Sequence, residues 1–281
     1  MKIAVTAVSG QLGAAIAKRA IEEFGKENVV GTARTPKKAK SLGIKVFKAD
    51  YNSKEDFATA FQGIDAVVLI SGMGNPNDRI GQHQNVINAA KESGVKKIVY
   101  TSIIGKPGNS TFDAIVNSNR QTEVDIIASE LEYAIGRNGL YIEPDIEYLD
   151  NYIKEGKIAN SAADGKCSYT SRDELAIAYT NLLANSSLNG ATYNLLGESI
   201  TQTELVDYFN KYFKTKLVYE SMTPEDYLSW QQKQNGDFLG SVIAGIYQKI
   251  RNNEFELDSD FEKILGRKHK TMDEIFKEYS K

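Results

Sequence analysis

The first half of the chain alternates short apolar segments with longer segments of helical periodicity. The apolar segments predict buried strands, and the segments between them predict amphipathic helices. Strands that alternate with helices in this way predict repeated βαβ units and a parallel sheet covered on both faces. Strands are predicted at residues 2–7, 28–33, 44–50, 66–71, 96–102 and 131–136, and helices at 11–24, 54–62, 81–93 and 113–129.

A glycine-containing turn joins the first predicted strand to the first predicted helix, in the stretch AVTAVSGQLGAA at residues 4–15. Gly10 would let the backbone approach a phosphate closely, and Gly13 would let the helix pack tightly against the sheet. The start of a helix also presents oriented N–H groups and a partial positive charge. Strand, loop and helix in this order predict a dinucleotide-binding loop, although a structural turn is the alternative.

The second predicted strand ends in a basic stretch, which bears on the choice of dinucleotide. Sites for NAD usually carry an acidic residue at this position, whereas sites for NADP carry a cation for the 2′-phosphate. No acidic residue occurs between Glu27 and Asp50, and Arg34 stands at the decisive position, with Lys37 and Lys38 following it. A planar guanidinium suits a phosphate, so we predict NADP(H) as the preferred cofactor and NAD(H) as a possible one; the alternative is a solvent-exposed basic start of the next helix.

The alternation becomes less regular after residue 137. Helices are predicted at 146–156 and 171–184, the second with a capping box formed by Ser171 and Glu174, and a strand at 191–196. We predict an α/β protein with a Rossmann-type doubly wound parallel sheet and a small, mainly helical carboxyl-terminal lobe. Residues 1–137, completed by parts of 166–197, would form the NAD(P)-binding core, and 138–165 with 198–281 the substrate-binding lobe.

Composition narrows the class of protein without identifying a reaction. The 281 residues are 41% hydrophobic and 25% charged, with a net charge of −3, so nucleic acid is not an expected partner. One cysteine, Cys167, and two histidines, His83 and His269, offer little material for a transition-metal site, and both histidines are expected either at the surface or in helix packing. With no apolar run of membrane-spanning length and no signal peptide, we expect a cytoplasmic, metal-free protein; oligomers remain possible.

Several stretches together resemble the NmrA-like group of atypical short-chain dehydrogenases, in particular its bacterial flavin-free NAD(P)H:quinone reductases and triphenylmethane-dye reductase. They keep the order and spacing of that group over about the first 200 residues, and the remainder matches in outline. The matching stretches are SGQLG (9–13), ARTPKKA (33–39), ADYNS (49–53), QHQNVINAAKESGVKKIVYTS (82–102), RNGLYIE (137–143), AADGK (162–166) and SRDELA (171–176).

The resemblance implies an NADP-binding sheet domain with a substrate cleft against the lobe, and it implies cofactor contacts position by position. It places Arg34 at the 2′-phosphate and Ser71, Gly72 and Met73 near the adenosine. Residues near the nicotinamide and the substrate mouth would be Asn138, Gly139, Tyr141, Glu143, Thr170 and Arg172. The remaining implied contacts are Ala7, Val8, Ser9, Gly10, Gln11, Leu12 and Gly13 at the pyrophosphate, with Lys38, Asp50, Thr101 and Ser102.

The chain departs from the family at two places. Ala7 replaces the usual first glycine of the loop, and the stretch NRQTE puts Asn119 and Glu123 where short-chain dehydrogenases carry a tyrosine and a lysine for proton transfer. A ketone needs such a proton donor, because an alkoxide is a poor product. A quinone needs less help, because hydride addition gives a delocalised anion that water can protonate.

We therefore predict an NAD(P)H-dependent reductase that transfers hydride to a quinone-like acceptor without flavin. Asn138, Tyr141 and Tyr169, with Tyr148, are candidates to line the acceptor slot. Packing is the alternative for each tyrosine, and a purely structural turn is the alternative for Asn138. A second hypothesis is a non-catalytic redox sensor of the NmrA type that binds dinucleotide and regulates a partner. An isoflavone-reductase-like activity is also compatible, whereas a nucleotide-sugar epimerase would need the missing tyrosine.

Overall fold

The computed structural model describes residues 1–72 and 74–280, so the predicted contact Met73 lies outside the described residues. Twelve strands are found there: β1 (Ile3–Val5), β2 (Val29–Ala33), β3 (Lys45–Lys48), β4 (Ala66–Ile70), β5 (Lys97–Ile103), β6 (Glu132–Asn138), β7 (Leu140–Tyr141), β8 (Lys157–Asn160), β9 (Cys167–Thr170), β10 (Ala191–Leu195), β11 (Ser199–Ile200) and β12 (Val218–Ser221).

Twelve α-helices and three short 3₁₀ segments complete the described elements. The 3₁₀ segments are Lys26–Asn28, Pro36–Leu42 and Ser186–Leu188. The α-helices are α1 (Gln11–Phe24), α2 (Lys54–Ala60), α3 (Pro76–Glu92), α4 (Thr111–Ala128), α5 (Glu143–Glu147), α6 (Leu149–Glu155), α7 (Arg172–Ala184), α8 (Gln202–Phe213), α9 (Pro224–Asn235), α10 (Asp237–Arg251), α11 (Phe261–Leu265) and α12 (Met272–Tyr279).

Seven strands form one parallel sheet in the order β10-β6-β5-β4-β1-β2-β3. Val5 pairs in register with Gly31 of β2 on one side and with Val68 of β4 on the other. Along the chain, β2 and β3 are added on one side of β1, and β4, β5, β6 and β10 are added on its other side. Open α/β sheets bind ligands at the carboxyl edge of the sheet, at the point where the strand order reverses in this way. The prediction of a doubly wound α/β fold is confirmed.

Alternate residues of the strands supply two separate apolar layers, one on each face of the sheet. In β4, Val68 and Ile70 pack with α1 and α7, whereas Val67 and Leu69 pack with α2 and α3. Both faces of β4 are buried because helices cover the sheet on both sides, which explains its continuous apolar sequence. Helices α1 and α7 pack on the same face of the sheet, so the turn between β1 and α1 is held next to that face.

The lobe surrounds a third apolar cluster. Its strands form a three-stranded sheet, β11-β9-β7, and a parallel pair of β8 with β12. Phe112 and Val116 of α4 belong to the same cluster, so the lobe packs directly onto the sheet domain. No helix among residues 1–72 and 74–280 combines the length and apolar character that crossing a membrane would need.

Two predicted helices differ from the structure. Helix α3 begins at Pro76, not at residue 81, because the Asn75 side chain caps an earlier turn by accepting from the Asn77 N–H at 3.0 Å. The helix predicted at 146–156 is instead two short helices, α5 and α6, that meet at Tyr148. The exact limits of core and lobe stay a prediction.

The capping box predicted at the start of α7 is only half formed. The Ser171 hydroxyl accepts from the Glu174 N–H, as predicted. The Glu174 carboxylate does not return to Ser171; it accepts hydrogen bonds from the Arg267 guanidinium at 2.7 and 2.8 Å. A distant ion pair therefore replaces the local contact, because it satisfies a carboxylate that is only 1% exposed.

Candidate active site

The turn between β1 and α1 is fixed by backbone hydrogen bonds. The Gly10 N–H donates to the Ala7 carbonyl at 2.9 Å, and the Val8 N–H donates to the Thr32 carbonyl of β2 at 3.0 Å. Ala7 adopts the left-handed region with φ of 50°. Ser9, Gly10 and Gln11 are exposed, whereas Val8 is buried. The loop therefore presents residues 9–11 at the carboxyl edge of the sheet.

The first turn of α1 has free N–H groups at this edge. Gly10 caps the helix without a side chain, and the first turn contains no acidic residue. Most other long helices of the described residues begin instead at a serine, threonine or asparagine whose side chain accepts from the first turn. Uncapped N–H groups with the positive end of the helix dipole favour an anion such as a pyrophosphate.

The two glycines of the loop have different roles. A Cβ at Gly13 would lie 2.5 Å from the Ala7 carbonyl oxygen and 3.1 Å from that of Thr6, so only glycine lets α1 pack here. A Cβ at Gly10 would meet only the Ala7 oxygen, at an ordinary 3.4 Å. The protein's own packing therefore requires Gly13 but leaves open space beside Gly10, where a ligand can approach the backbone.

Replacing Ala7 by glycine should stabilise the protein, because an alanine in the left-handed region costs about 1 kcal/mol that glycine does not pay. We expect Ala7→Gly to raise the free energy of unfolding by about this amount in urea denaturation. Ala15→Gly, within the regular helix α1, is the matched control and should lower it by about 1 kcal/mol. A loss of stability in Ala7→Gly would contradict the φ of 50° at this residue.

The carboxyl end of β2 is positively charged. Arg34 follows the strand directly and is exposed, as are Lys37 and Lys38. No carboxylate of the described residues lies within 4.0 Å of the Arg34 guanidinium. The Asp50 carboxylate after β3 accepts instead from the backbone and side chain of Asn52, both at 2.9 Å. Arg34 is therefore available to an anion beside the loop.

The end of β4 is held by side chains from neighbouring elements. The Ser71 N–H donates to the Thr101 hydroxyl at 2.9 Å, and the Gly72 N–H donates to Nε2 of His83 at 3.0 Å. His83 is fully buried, and burial, with the nearby charge of Arg79, lowers the pKa of its imidazole to about 3. Of the two roles predicted for His83, the structure shows packing and not a surface position, and its neutral ring cannot act as an acid at neutral pH.

Asn119, at the position where typical short-chain dehydrogenases carry a tyrosine, is enclosed by protein partners. Its side-chain oxygen accepts from the Tyr100 hydroxyl at 2.6 Å and from the Ser71 hydroxyl at 3.0 Å. Its amide nitrogen donates to the Ile115 carbonyl at 2.8 Å. Asn119 therefore joins β4, β5 and α4 as a structural hydrogen-bonding group, and an asparagine does not titrate.

Glu123, at the lysine position, forms a buried ion-pair network. Its carboxylate accepts from the Ser102 hydroxyl at 2.6 Å, from Arg120 at 2.7 Å and from the Arg137 guanidinium. Burial alone would raise the pKa of Glu123, but hydrogen bonds from Arg137 and Ser102 and the charges of both arginines lower it. Glu123 is therefore a carboxylate at neutral pH and is not a proton donor.

The end of β6 positions an aromatic ring at the carboxyl edge. Asn138 is only 3% exposed; its oxygen accepts from the Tyr179 hydroxyl and its amide donates to the Tyr141 hydroxyl at 3.0 Å. The Arg172 guanidinium lies 5.5 Å from the centre of the half-buried Tyr141 ring. Asn138 is thus behind Tyr141 and orients it. Gly139 is required, because a Cβ there would lie 2.5 Å from the Ser168 carbonyl oxygen.

The structure brings Gln11, Glu143 and Arg172 together from three elements. The Arg172 N–H donates to the Glu143 carboxylate at 2.7 Å, and the Arg172 side chain donates to Glu147 at 3.0 Å. The Gln11 amide donates to the same Glu147 oxygen at 3.2 Å. All four residues line a cavity of about 610 Å³ between α1, α5 and α7. Sequence reasoning missed Glu147, which follows the matching stretch and has no local motif.

Two predicted contacts of β9 are enclosed. Tyr169 is 2% exposed within the lobe core, and its hydroxyl accepts from the Gln202 amide at 3.2 Å. The Thr170 hydroxyl is paired with Nε2 of His269 at 3.1 Å. Neither side chain faces an open surface, so their contact with cofactor or acceptor stays a prediction. Within residues 1–72 and 74–280, no cluster of His, Cys, Asp and Glu is arranged to hold a metal ion.

Comparison with known proteins finds a matching family model and two similar oxidoreductases. The family model described as NAD(P)H-binding matches residues 8–186. Quinone oxidoreductase 2 of Escherichia coli is 31% identical over 229 residues, 80% of this chain and 79% of that protein. An NmrA-like family domain-containing oxidoreductase of Aspergillus flavus is 25% identical over 280 residues, 95% of this chain and 91% of that protein.

Two solved structures are similar to this protein over nearly the whole chain. The E. coli NADPH-dependent quinone oxidoreductase complexed with NADPH has a TM-score of 0.89 at 28% identity and covers 98% of this chain and 99% of its own. The Citrobacter triphenylmethane reductase complexed with NADP(H) has a TM-score of 0.90 at 28% identity and covers 99% of this chain and 100% of its own. The chain therefore belongs to the NAD(P)H-binding, NmrA-like family.

Proposed function

We propose that this protein is an NADPH-dependent reductase that transfers hydride to a quinone or a similar conjugated acceptor without flavin. The observation that carries the proposal is the pair Asn119 and Glu123, which stand where ketone-reducing relatives of this fold carry a tyrosine and a lysine. Both side chains are held by hydrogen bonds to other residues of this protein, and neither can transfer a proton to a substrate. The quinone and dye reductases among the relatives support the same chemistry.

The residues present fit the cofactor that the family implies. NADPH, when bound, supplies the hydride. The uncapped N–H groups of α1 and the open space beside Gly10 would hold its pyrophosphate, and Arg34 with Lys38 would hold its 2′-phosphate. Ser71 and Gly72 would lie near the adenosine. Tyr141, oriented by Asn138, would lie at the nicotinamide end together with Arg172.

Positioning would supply most of the rate. A quinone accepts hydride to give a delocalised anion, so the reaction needs two flat groups held face to face and shielded from water. Tyr141 has a fixed ring for this purpose, because its hydroxyl is held by Asn138 and its face by Arg172. A simple ketone would instead need a proton donor at the Asn119 position, and the family's donor is absent there.

The function is tested by measuring oxidation of NADPH and NADH with a panel of quinones, cationic dyes and simple ketones, without added flavin. We expect turnover with quinones and dyes and little with ketones. A protein that binds NADPH but oxidises none with any acceptor would be the redox sensor, and ketone turnover at the quinone rate would contradict the preference for conjugated acceptors. The absence of flavin and metal, the oligomeric state and the cytoplasmic location stay predictions.

A further inference from the structure

Asp145 is a buried carboxyl group without a cationic partner. The residue lies on α5 and is 8% exposed. No Lys, Arg or His side chain among residues 1–72 and 74–280 lies within 4.0 Å of it. Its partner is the Tyr152 hydroxyl, which donates to Oδ1 at 2.7 Å. An unpaired buried carboxylate is costly, so a chain that keeps one invites a functional explanation.

The groups that face Asp145 are neutral near pH 7. They come from four elements: Tyr152 of α6, Cys167 and Tyr169 of β9, Tyr227 of α9 and Tyr247 of α10. Burial raises the pKa of each of these hydroxyl and thiol groups, so none becomes charged. Burial likewise raises the pKa of Asp145 to about 6, although the nearby hydroxyls of Tyr152 and Tyr169 oppose this in part.

The position of Asp145 relates it to the candidate site. Helix α5 follows β7, whose Tyr141 lies at the expected nicotinamide end. Glu143 contacts Arg172 on the α7 side, whereas Asp145 contacts the aromatic rings of the lobe. Tyr152 and Tyr247 are half-buried, and Tyr148, edge-on to Tyr152 at 5.1 Å, is 43% exposed. The aromatic cluster therefore reaches the surface, and flat conjugated acceptors suit such rings.

We propose that Asp145 is the proton donor to the reduced acceptor and that Tyr152 is the residue that positions its carboxyl group. The proposal rests on the proposed function and adds the donor that the Asn119 and Glu123 positions do not supply. Hydride from NADPH carries two electrons and one proton to the quinone and leaves a hydroquinone monoanion. The Asp145 O–H bond then breaks as a new O–H bond forms on the anionic oxygen. The carboxylate, stabilised by the Tyr152 hydroxyl, takes a proton back from water.

The two acceptor classes of the relatives separate a proton donor from a structural residue. A cationic triphenylmethane dye becomes a neutral product by accepting hydride alone, whereas a quinone also needs a proton. We would measure kcat for benzoquinone and crystal violet from pH 5 to 8 with saturating NADPH, in the wild type and in Asp145→Asn. The wild-type quinone kcat should fall as the pH rises through about 6, where the carboxyl group ionises.

In Asp145→Asn the quinone kcat should be about tenfold lower at pH 5.5 and independent of pH. This is less than the 10²–10⁴ that is usual for general acids, because the hydroquinone anion is already delocalised. Turnover of crystal violet should stay within about twofold. An equal loss with both acceptors would make Asp145 structural, and an unchanged quinone profile would make water the donor. A wild type inactive with both acceptors would instead refute the proposed function.

Tyr152→Phe gives a second, independent test because it keeps the ring and removes only the hydroxyl that stabilises the carboxylate. The pKa of Asp145 should rise further above about 6, so the limb of the quinone profile should move to higher pH. A limb that stays in place would overturn the role of Tyr152 and would weaken the identification of the limb with Asp145. A purely structural contact would change the rate without moving the limb.

Stability provides a readout that does not depend on turnover. Because burial raises the pKa of Asp145 to about 6 from the ordinary value of 3.8, the folded protein holds this proton more tightly than the unfolded chain. This group therefore stabilises the fold less as the pH rises from about 4 to about 6. Urea denaturation should show this loss in the wild type but not in Asp145→Asn. If the free energy of unfolding depended on pH identically in the two proteins, the raised pKa of a buried Asp145 carboxyl would be contradicted.

Discussion

Replacing Gly13 by alanine should destabilise the protein by about 3 kcal/mol, at the upper end of what an overpacked site costs. The added Cβ would lie 2.5 Å from the Ala7 carbonyl oxygen and 2.9 Å from the Ala7 carbonyl carbon. These are backbone atoms of a turn that is bonded to β2, so they cannot move aside as a flexible side chain would. The free energy of unfolding of Gly13→Ala, measured in urea, checks this expectation.

Gly10→Ala is the matched control because it adds the same methyl group three residues earlier in the same loop. Its Cβ would make only an ordinary contact of 3.4 Å, and Gly10 has a φ of −89° that alanine adopts freely. Stability should therefore be kept while NADPH affinity falls, since the methyl group would occupy space next to the pyrophosphate. A Gly13→Ala protein with normal stability and normal NADPH affinity would refute the assignment of this turn as the phosphate loop.

Arg34→Ala should weaken binding of NADPH by about 10- to 100-fold and leave binding of NADH almost unchanged. A hydrogen bond to a charged group contributes about 1.5–3 kcal/mol, and only NADPH carries the 2′-phosphate that Arg34 would contact. The Kd values of both reduced cofactors, measured by calorimetry on the same preparation, give the comparison.

Lys91→Ala removes the same charge from the last turn of α3, away from the predicted cofactor edge, and controls for a general electrostatic effect. We expect both cofactors to bind it as they bind the wild type. An equal loss of NADPH and NADH affinity in Arg34→Ala would show that Arg34 supports the fold of the loop and does not select the cofactor. Unchanged affinity for both would place the 2′-phosphate elsewhere.

The sheet and the cofactor loop could be predicted from the sequence because their signals are local. Helix α1 spans Gln11–Phe24, as predicted, since a glycine turn defines its start and apolar residues at helical spacing define its buried face. The alternating layers of β4 follow from its continuous apolar sequence. Ala7 showed that the loop departs from its family, but only the structure shows that its φ is positive.

Features that depend on distant residues could not be predicted. The Glu174 carboxylate pairs with Arg267, which is 93 residues away, in preference to its local cap. Asn138 is recognisable as the end of a strand, but its enclosure by Tyr179, 41 residues away, is not. The tyrosines around Asp145 come from separate elements of the lobe, so no sequence spacing indicates that they meet there.

The central claim is that this protein transfers hydride directly from NADPH to a quinone-like acceptor. The most direct test is an anaerobic single-turnover measurement that mixes the NADPH-loaded, flavin-free protein with one equivalent of benzoquinone. We predict that NADPH absorbance disappears in one phase as one equivalent of hydroquinone forms, and that the phase is slower with NADPH deuterated at the transferred position. NADPH that stays bound and reduced while quinone remains unconsumed would contradict the account.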